Sequence, residues 1–177
     1  DALAEILTGD VNPSGRLPYT YPKFEQGLIT YDHKPSQNLD GKMEGAYDYG
    51  AQTSVQYPFG FGLSYTTFEY SNLSVDKKDF ASGDSIQISV DVKNTGSVLG
   101  KETVMLFSSD LVASLSPDVR RLRAFDKIEL NPGESKTVKI GIAADDLAFV
   151  NELGKWTLEE GEFKMQVGNL VENINCT

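Results

Sequence analysis

Apolar and polar residues alternate along the second half of the chain, which is the pattern of β-strands that bury one face. The clearest example runs from Ile86 to Val92, where Ile and Val alternate with Gln, Ser and Asp. Asn-Thr-Gly at 94–96 and Asn-Pro-Gly-Glu at 131–134 are turn signals next to such segments. The predicted strands cover residues 73–75, 86–92, 102–109, 122–130, 138–142, 156–158 and 163–167.

Seven short strands in about 110 residues indicate a mainly β fold, an antiparallel two-sheet β-sandwich of immunoglobulin or fibronectin type III type. Cys176 is the only cysteine, so no internal disulfide can form and the fibronectin type III-like version is favoured. Trp156 alternates with Leu158, which predicts that its indole lies in the core; the alternative is a platform for carbohydrate. The tail, residues 172–177, is predicted to be frayed.

The first 70 residues follow a different pattern. Apolar residues recur at helical spacing from Leu3 to Leu7, and Gly9 stands where a C-cap glycine is expected, so a short helix is predicted over residues 1–9. Residues 10–64 show no sustained period, although all eight tyrosines and five of the seven prolines lie within the first 70 residues. A connection this long is uncommon within a compact domain. We expect it to run over the surface of something larger, with its tyrosine rings docked.

The charge of the chain excludes several classes of partner. There are 16 Lys and Arg residues against 26 Asp and Glu residues, which gives a formal net charge of -10. Nucleic acids and anionic membrane surfaces both require an excess of basic side chains, so neither is an expected partner. No apolar run approaches the roughly 20 residues of a membrane span. A single cysteine excludes a Cys-based zinc site, and His33 is the single histidine.

Three segments of the chain carry recognisable motifs. Residues 4–18 read AEILTGDVNPSGRLP, and residues 57–68 read YPFGFGLSYTTF. The third segment combines the turns at 94–96 and 130–135 with the Trp, Gly and Phe spaced along 156–163. In order, they resemble the stretch closing the second domain of glycoside hydrolase family 3, the family's linker into its last domain, and its fibronectin type III-like C-terminal domain. The chain is thus similar to the C-terminal portion of a β-glucosidase-like enzyme.

The resemblance implies a division of the chain into three parts. Residues 1–22 would be the C-terminal remnant of an α/β sandwich domain, residues 23–66 an extended linker rich in Tyr, Gly and Pro, and residues 67–177 the fibronectin type III-like domain. In this family an upstream barrel supplies the Asp nucleophile and the α/β sandwich domain supplies the acid/base Glu. Neither region is found among these residues, so no catalytic residue is assigned to the chain.

The resemblance also implies a parent enzyme that hydrolyses β-linked glucosides or related sugars with retention. It would act through a covalent glycosyl-enzyme, without cofactor or metal. The expected partners are the upstream catalytic domains of the same polypeptide and the carbohydrate substrate, and a secreted or periplasmic location is favoured. The chain itself is expected to be a non-catalytic scaffold; the alternative is an autonomous β-sandwich module that binds carbohydrate or protein.

Glu44, Tyr47 and Tyr49 are the candidate substrate-binding residues. Aromatic rings stack on the face of a pyranose and carboxylates accept hydroxyl protons, so this combination suits a sugar-binding rim. The alternative is a tyrosine-rich linker that packs between domains. Many members of the family have a Gly-Tyr-Arg-Tyr type sequence near this point, whereas this chain has Asp48 in place of the Arg, which reverses the local charge.

Other polar groups have simpler interpretations. Retaining glycoside hydrolysis needs two carboxyl groups about 5–5.5 Å apart, but the acid pairs at 145–146 and 159–160 are predicted to be solvated turn residues. The basic cluster at 120–123 is predicted to protect a strand edge, with anion recognition as the alternative. Asn72 and Asn175 each begin a glycosylation sequon.

Overall fold

The computed structural model describes residues 2–25, 27–37 and 54–177. Within these residues the chain forms one α-helix, α1 (Ala2–Thr8), and twelve β-strands, and none of its helices is long and apolar enough to cross a membrane. The strands are β1 (Tyr21–Pro22), β2 (Val55–Tyr57), β3 (Phe68–Val75), β4 (Asp79–Phe80), β5 (Ser85–Asn94), β6 (Gly100–Asp110), β7 (Arg121–Leu130), β8 (Ser135–Ala143), β9 (Phe149–Val150), β10 (Trp156–Thr157), β11 (Gly161–Val167) and β12 (Leu170–Cys176).

Two sheets make up the main body of the fold. One has five strands in the order β4-β12-β11-β6-β7, and the other has three in the order β3-β5-β8. All neighbouring strands are antiparallel except β4 and β12. The predicted mainly β architecture is confirmed, with eight strands in these two sheets where the sequence pattern indicated about seven. Two short pairs, β1–β2 and β9–β10, lie outside them.

The core lies between the two sheets, as the alternation in β5 predicts. The apolar residues of β5, from Ile86 to Val92, are almost completely buried, whereas Gln87 between the first two of them is exposed. Ile88 pairs with Ile140 and Val90 with Val138 on the neighbouring β8. Transfer of these side chains out of water supplies the main driving force for bringing the sheets together. The five-stranded sheet contributes Val104, Leu106, Phe163, Met165, Val167 and Ile174 to the same cluster.

The C-terminal tail is ordered, so the prediction of a frayed end at 172–177 is wrong. The whole of β12 pairs with β11, and Asn175 and Cys176 also pair with β4. Ile174 is fully buried, and Cys176 is buried as well. The alternating pattern was missed because only Ile174 and Cys176 are buried in the strand, and the exposed Asn175 lies between them.

The indole of Trp156 is 72% exposed, so the prediction that it belongs to the core is also wrong. Its strand, β10, pairs only with β9, and neither strand joins one of the two main sheets. Leu158 does pack against the core. Of the two alternating residues, Trp156 therefore lies outside the sandwich and only Leu158 contacts the core.

The described residues before β3 (2–25, 27–37 and 54–67), which we call the N-terminal segment, pack on the five-stranded sheet through aromatic rings. Tyr31 stacks on Phe59 with ring centroids 4.0 Å apart, and each ring meets Phe107 of β6 edge-on at 6.1 Å. Backbone hydrogen bonds of 2.8 Å from Leu17 N to Phe61 O and from Gly60 N to Leu17 O hold the two ends of the segment together. For Tyr31, docking through the ring is confirmed.

A buried carboxylate links this segment to the sandwich. Glu102 on β6 is 6% exposed and is paired with the guanidinium of Arg16 from the N-terminal segment. The hydroxyl of Tyr70 donates a 2.7 Å hydrogen bond to the second oxygen of Glu102. Burial and the neighbouring carboxylate raise the pKa of Tyr70 far above its ordinary value, so the phenol stays protonated. Arg16 also donates to Gly62 O at 3.1 Å.

Asn94 at the end of β5 is a second buried polar junction. Its side-chain oxygen accepts hydrogen bonds from Thr66 Oγ1 at 2.5 Å and from Gly96 N at 3.1 Å. Its amide nitrogen donates to Val98 O at 2.8 Å and to Leu130 O at 3.0 Å. The turn signal at this position is thus confirmed. The side chain also joins one sheet to the end of β7 in the other.

We predict that Asn94→Ala lowers the free energy of unfolding by about 2–4 kcal/mol, because it leaves several buried donors and acceptors unpaired. Asn173→Ala is the matched control, since this Asn lies on the exposed face of β12. It should change stability by about 0.5 kcal/mol or less. Urea unfolding of the two variants measures the difference. Equal losses of unfolding free energy in the two variants would show that the buried hydrogen bonds of Asn94 stabilise the fold no more than an exposed Asn does.

We further predict that Arg16→Ala destabilises the chain by about 3–5 kcal/mol, because it leaves the Glu102 carboxylate buried without a cation. Lys101→Ala removes an exposed pair with Glu129, at 3.3 Å, and should cost about 1 kcal/mol or less. Adding Glu102→Gln to Arg16→Ala should restore much of the lost stability. A double-mutant cycle by urea unfolding tests this, and purely additive effects would contradict the assigned pairing.

Candidate functional site

Helix α1 presents an uncovered apolar face. The predicted helix is confirmed, and Gly9 ends it with a φ of 85°. None of its residues is buried, and Leu3 and Leu7 are 70% and 75% exposed. Ile6 is half-buried, and its carbonyl accepts a 2.6 Å hydrogen bond from the hydroxyl of Tyr65. Tyr65, just before β3, therefore holds the helix at Ile6, while Leu3 and Leu7 stay in solvent.

Exposed aromatic rings form a second apolar surface on the N-terminal segment. Tyr19 and Tyr21 have centroids 6.2 Å apart, and Tyr21 lies 6.0 Å from Tyr57. Tyr57 in turn contacts Phe61 at 4.7 Å. The three tyrosines are exposed. A row of rings in contact on a surface is typical of a protein–protein or interdomain interface, where aromatic side chains are enriched.

Asn12 fixes the helix and the segment before β3 against the sandwich. Its side-chain oxygen accepts hydrogen bonds from Tyr65 N at 2.8 Å and Ser64 Oγ at 3.0 Å, and its amide nitrogen donates to Leu99 O at 2.9 Å. An open cleft of about 750 Å³ lies beside it, lined by residues 7–12 and by the loop before β6. This positioning role was not assigned from the sequence. The sequence feature that could have indicated this role is the Asp-Val-Asn-Pro-Ser-Gly motif at 10–15, which contains Asn12.

A second concave site, which we call the Trp156 groove, has a volume of about 330 Å³. It lies between loop 111–120, the start of β7 and the β9–β10 hairpin. Its polar lining residues are Lys34, Ser108, Asp110, Ser116, Asp118, Arg121 and Arg123, and its aromatic ones are Phe149 and Trp156.

The basic cluster at 120–123 is divided between two environments. β7 is an edge strand of the five-stranded sheet, as the interpretation of the cluster as edge protection requires. Arg120 lies 4.8 Å from the centroid of Phe107. Arg121 pairs with Asp118 at 2.8 Å in the groove. The Arg123 guanidinium donates to Ser108 Oγ at 2.7 Å and to the backbone carbonyl of Asp146.

Three of the four acids in the pairs at 145–146 and 159–160 accept hydrogen bonds that hold local structure. Asp145 accepts from Ser82 Oγ at 2.7 Å, and Asp146 accepts from the backbone N–H of Ala143 at 3.1 Å. Both oxygens of Glu159 are bonded to Ser114, to its N–H at 2.8 Å and its hydroxyl at 2.6 Å. These two hydrogen bonds lower the pKa of Glu159. The interpretation of the three acids as turn residues fits these contacts.

The candidate sugar-binding residues Glu44, Tyr47 and Tyr49 lie outside the described residues, so they stay predictions. Among residues 2–25, 27–37 and 54–177, no three His, Cys, Asp or Glu side chains are grouped to hold a metal ion.

Two family descriptions match the chain. Residues 1–65 match the Glycosyl hydrolase family 3 C-terminal domain, and residues 102–171 match the Fibronectin type III-like domain. The chain is 40% identical over 186 residues to thermostable β-glucosidase B of Acetivibrio thermocellus, with 98% of this chain and 24% of that protein covered. It is 38% identical over 169 residues to a β-xylosidase of Formosa agariphila, covering 95% of this chain and 23% of that protein.

Solved structures agree with these matches. A β-glucosidase from Erythrobacter marinus superposes with a TM-score of 0.88 at 32% identity, covering 99% of this chain and 23% of the other. A β-glucosidase from Listeria innocua in complex with glucose gives 0.85 at 29% identity, covering 98% and 26%. The chain thus spans about a quarter of the length of these relatives. The resemblance drawn from its motifs is confirmed: the chain belongs to glycoside hydrolase family 3 and corresponds to the C-terminal portion of its members.

Proposed function

We propose that this chain is the C-terminal scaffold of a β-glucosidase-like enzyme and that it docks against catalytic domains further upstream in the same polypeptide. One observation carries the proposal. The N-terminal segment is tied to the sandwich by the Arg16–Glu102 pair and by the hydrogen bond from Asn12 to Leu99 O, yet it leaves Leu3, Leu7 and a row of tyrosines in solvent. An apolar face held in a fixed position is suited to burial against a partner domain.

The proposed parent enzyme hydrolyses β-linked glucosides or related sugars with retention. The relatives named above are β-glucosidases and a β-xylosidase, which supports this substrate class. The chain contributes stability and positioning to this reaction and no reacting group. The acids Asp145, Asp146 and Glu159 accept hydrogen bonds from Ser82, Ala143 and Ser114, which supports a structural role for them.

We also propose the boundaries 1–22, 23–66 and 67–177 for the remnant of the upstream domain, the linker and the fibronectin type III-like domain. The second boundary is supported by β3, which begins at Phe68, whereas the first rests on the motif resemblance, since β1 pairs with β2 across it. Arg16 in the first part pairs with Glu102 in the third, so these two parts are in direct contact.

Leu7→Asp tests the docking face. In the full-length enzyme we expect it to lower the free energy of unfolding by about 2 kcal/mol or more, because it removes a buried Leu and places a charge in an apolar interface. In the 177-residue chain the same substitution should cost about 1 kcal/mol or less, because Leu7 is in solvent there. Thermal and urea unfolding of both forms give the two values.

Leu153→Asp is the matched control for this experiment. Leu153 is 73% exposed, close to the value for Leu7, but it lies in the loop of the β9–β10 hairpin, away from α1. It should be nearly neutral in both forms. If Leu7→Asp is neutral in the full-length enzyme as well, α1 is not a docking face and the scaffold proposal fails.

The absence of catalysis in the chain alone is tested with an aryl β-glucoside. We expect the 177-residue chain to release no aryl alcohol above a heat-denatured control, while the full-length enzyme does so under the same conditions. Release by the chain alone that persists after repeated purification would place catalytic groups within these residues and overturn the assignment.

A further inference from the structure

We propose that the Trp156 groove binds a neutral oligosaccharide, with one pyranose ring stacked on the indole. The site lies on the sandwich, apart from α1 and the row of tyrosines on the N-terminal segment. It therefore goes beyond the scaffold function and does not depend on it. Its volume of about 330 Å³ lies at the lower end of the range for ligand sites, about 300–1,000 Å³. A short stretch of a sugar chain suits this size.

Trp156 is presented by a rigid support. Its strand β10 pairs with β9, with Trp156 opposite Val150. The turn between them is held by Asn151, whose side-chain oxygen accepts from Leu153 N at 3.0 Å and from Lys155 N at 3.1 Å. The same Asn donates to Thr157 Oγ1 at 2.9 Å. An aromatic ring held in place at the edge of a groove loses little entropy when a ligand stacks on it.

The fold leaves the indole of Trp156 in solvent. An indole buries a large apolar area when it is covered, so a ligand that covers it gains the stabilisation that this exposed ring forgoes in water. The pyranose ring of a β-linked glucan carries axial C–H groups on both faces and polar hydroxyls around its rim. Such a ring can cover the indole while its hydroxyls face the polar lining of the groove.

Hydrogen-bonding groups for those hydroxyls line the same groove. The carboxyl group of Asp110 accepts one hydrogen bond from the described residues, from Val112 N to Oδ1 at 3.2 Å, and it forms no ion pair with them. Burial raises the pKa of this carboxyl group. Arg121 uses Nη2 to pair with Asp118, and its other donors can serve a ligand. The groove thus offers both an acceptor and donors beside an aromatic face.

The loop that forms one wall is fixed before any ligand arrives. Ser114 is held by Glu159 through two hydrogen bonds, and Val119 O accepts a 2.7 Å hydrogen bond from Ser109 Oγ. Asp118 pairs with Lys34 at 2.7 Å and with Arg121 at 2.8 Å. A loop ordered at both ends makes the groove a preformed site, which lowers the entropic cost of binding.

The charge balance of the groove favours a neutral sugar over an acidic one. Its three cations, Lys34, Arg121 and Arg123, face the carboxylates of Asp110 and Asp118, with Glu159 close to Asp110. Two of the cations are already paired with Asp118. The chain as a whole carries a net charge of -10. An anionic ligand would find no surplus of positive charge, whereas hydroxyl groups can use both signs.

The intrinsic fluorescence of the chain tests the proposal directly, because Trp156 is its only tryptophan. Titration of the 177-residue chain with cellotetraose should give a saturable blue shift in the millimolar range, since the sugar ring removes water from the indole. A tetragalacturonate of similar length should bind at least about tenfold more weakly. Absence of a saturable change with cellotetraose, or equal binding of the acidic sugar, would overturn the proposal.

Variants locate the site by calorimetry. Trp156→Ala should weaken cellotetraose binding at least about tenfold, and Asp110→Asn about threefold or more. Phe125→Ala is the control, because Phe125 is 65% exposed on β7 but does not line the groove. It should leave the affinity within about twofold. Both aromatic side chains are exposed, so both variants should fold, as circular dichroism will verify. Unchanged binding in Trp156→Ala would place the sugar elsewhere and refute the assignment.

Discussion

The arrangement of the chain depends on one buried charge. Glu102 lies near the start of β6, the neighbour of the edge strand β7 in the five-stranded sheet, and its carboxylate is almost completely removed from water. An isolated carboxylate in such a place is strongly unfavourable, and Arg16 compensates for it from a distance of 86 residues along the chain. The negative charge of Glu102 is therefore compensated only when Arg16 and the N-terminal segment are in place. The hydrogen bond from Tyr70 satisfies the second oxygen.

This constraint explains why the N-terminal segment is a defined part of the structure and not a loose tether. Asn12 donates to Leu99 O in the loop before β6, and the stacked rings of Tyr31 and Phe59 pack on Phe107 of β6. The exposed leucines of α1 are then displayed at a fixed place relative to the sandwich. A scaffold needs this property, because a docking face that moved freely would lose entropy on each association.

Much of the sandwich could be predicted from local pattern, since alternation in β5 and β8 directly encodes which face is buried. β12 was not predicted because its burial depends on pairing with β11 and β4, and few residues in its second half are apolar. Trp156 was placed wrongly for a related reason: its strand pairs with β9 outside the main sheets, and periodicity does not reveal which sheet a strand joins. The groove around it draws on residues from 34 to 156, a combination that no single stretch of sequence displays.

The sequence by itself determined the fold class, the turns and the family, because hydrophobic periodicity and short motifs are local properties of the chain. Tertiary structure alone decided that Arg16 faces Glu102, that Asn94 joins the two sheets and that Trp156 stands beside Asp110 in a groove. These are contacts between residues far apart in sequence. Each is set by how strands pair and sheets pack, and desolvation then makes the pairing of the buried polar groups obligatory.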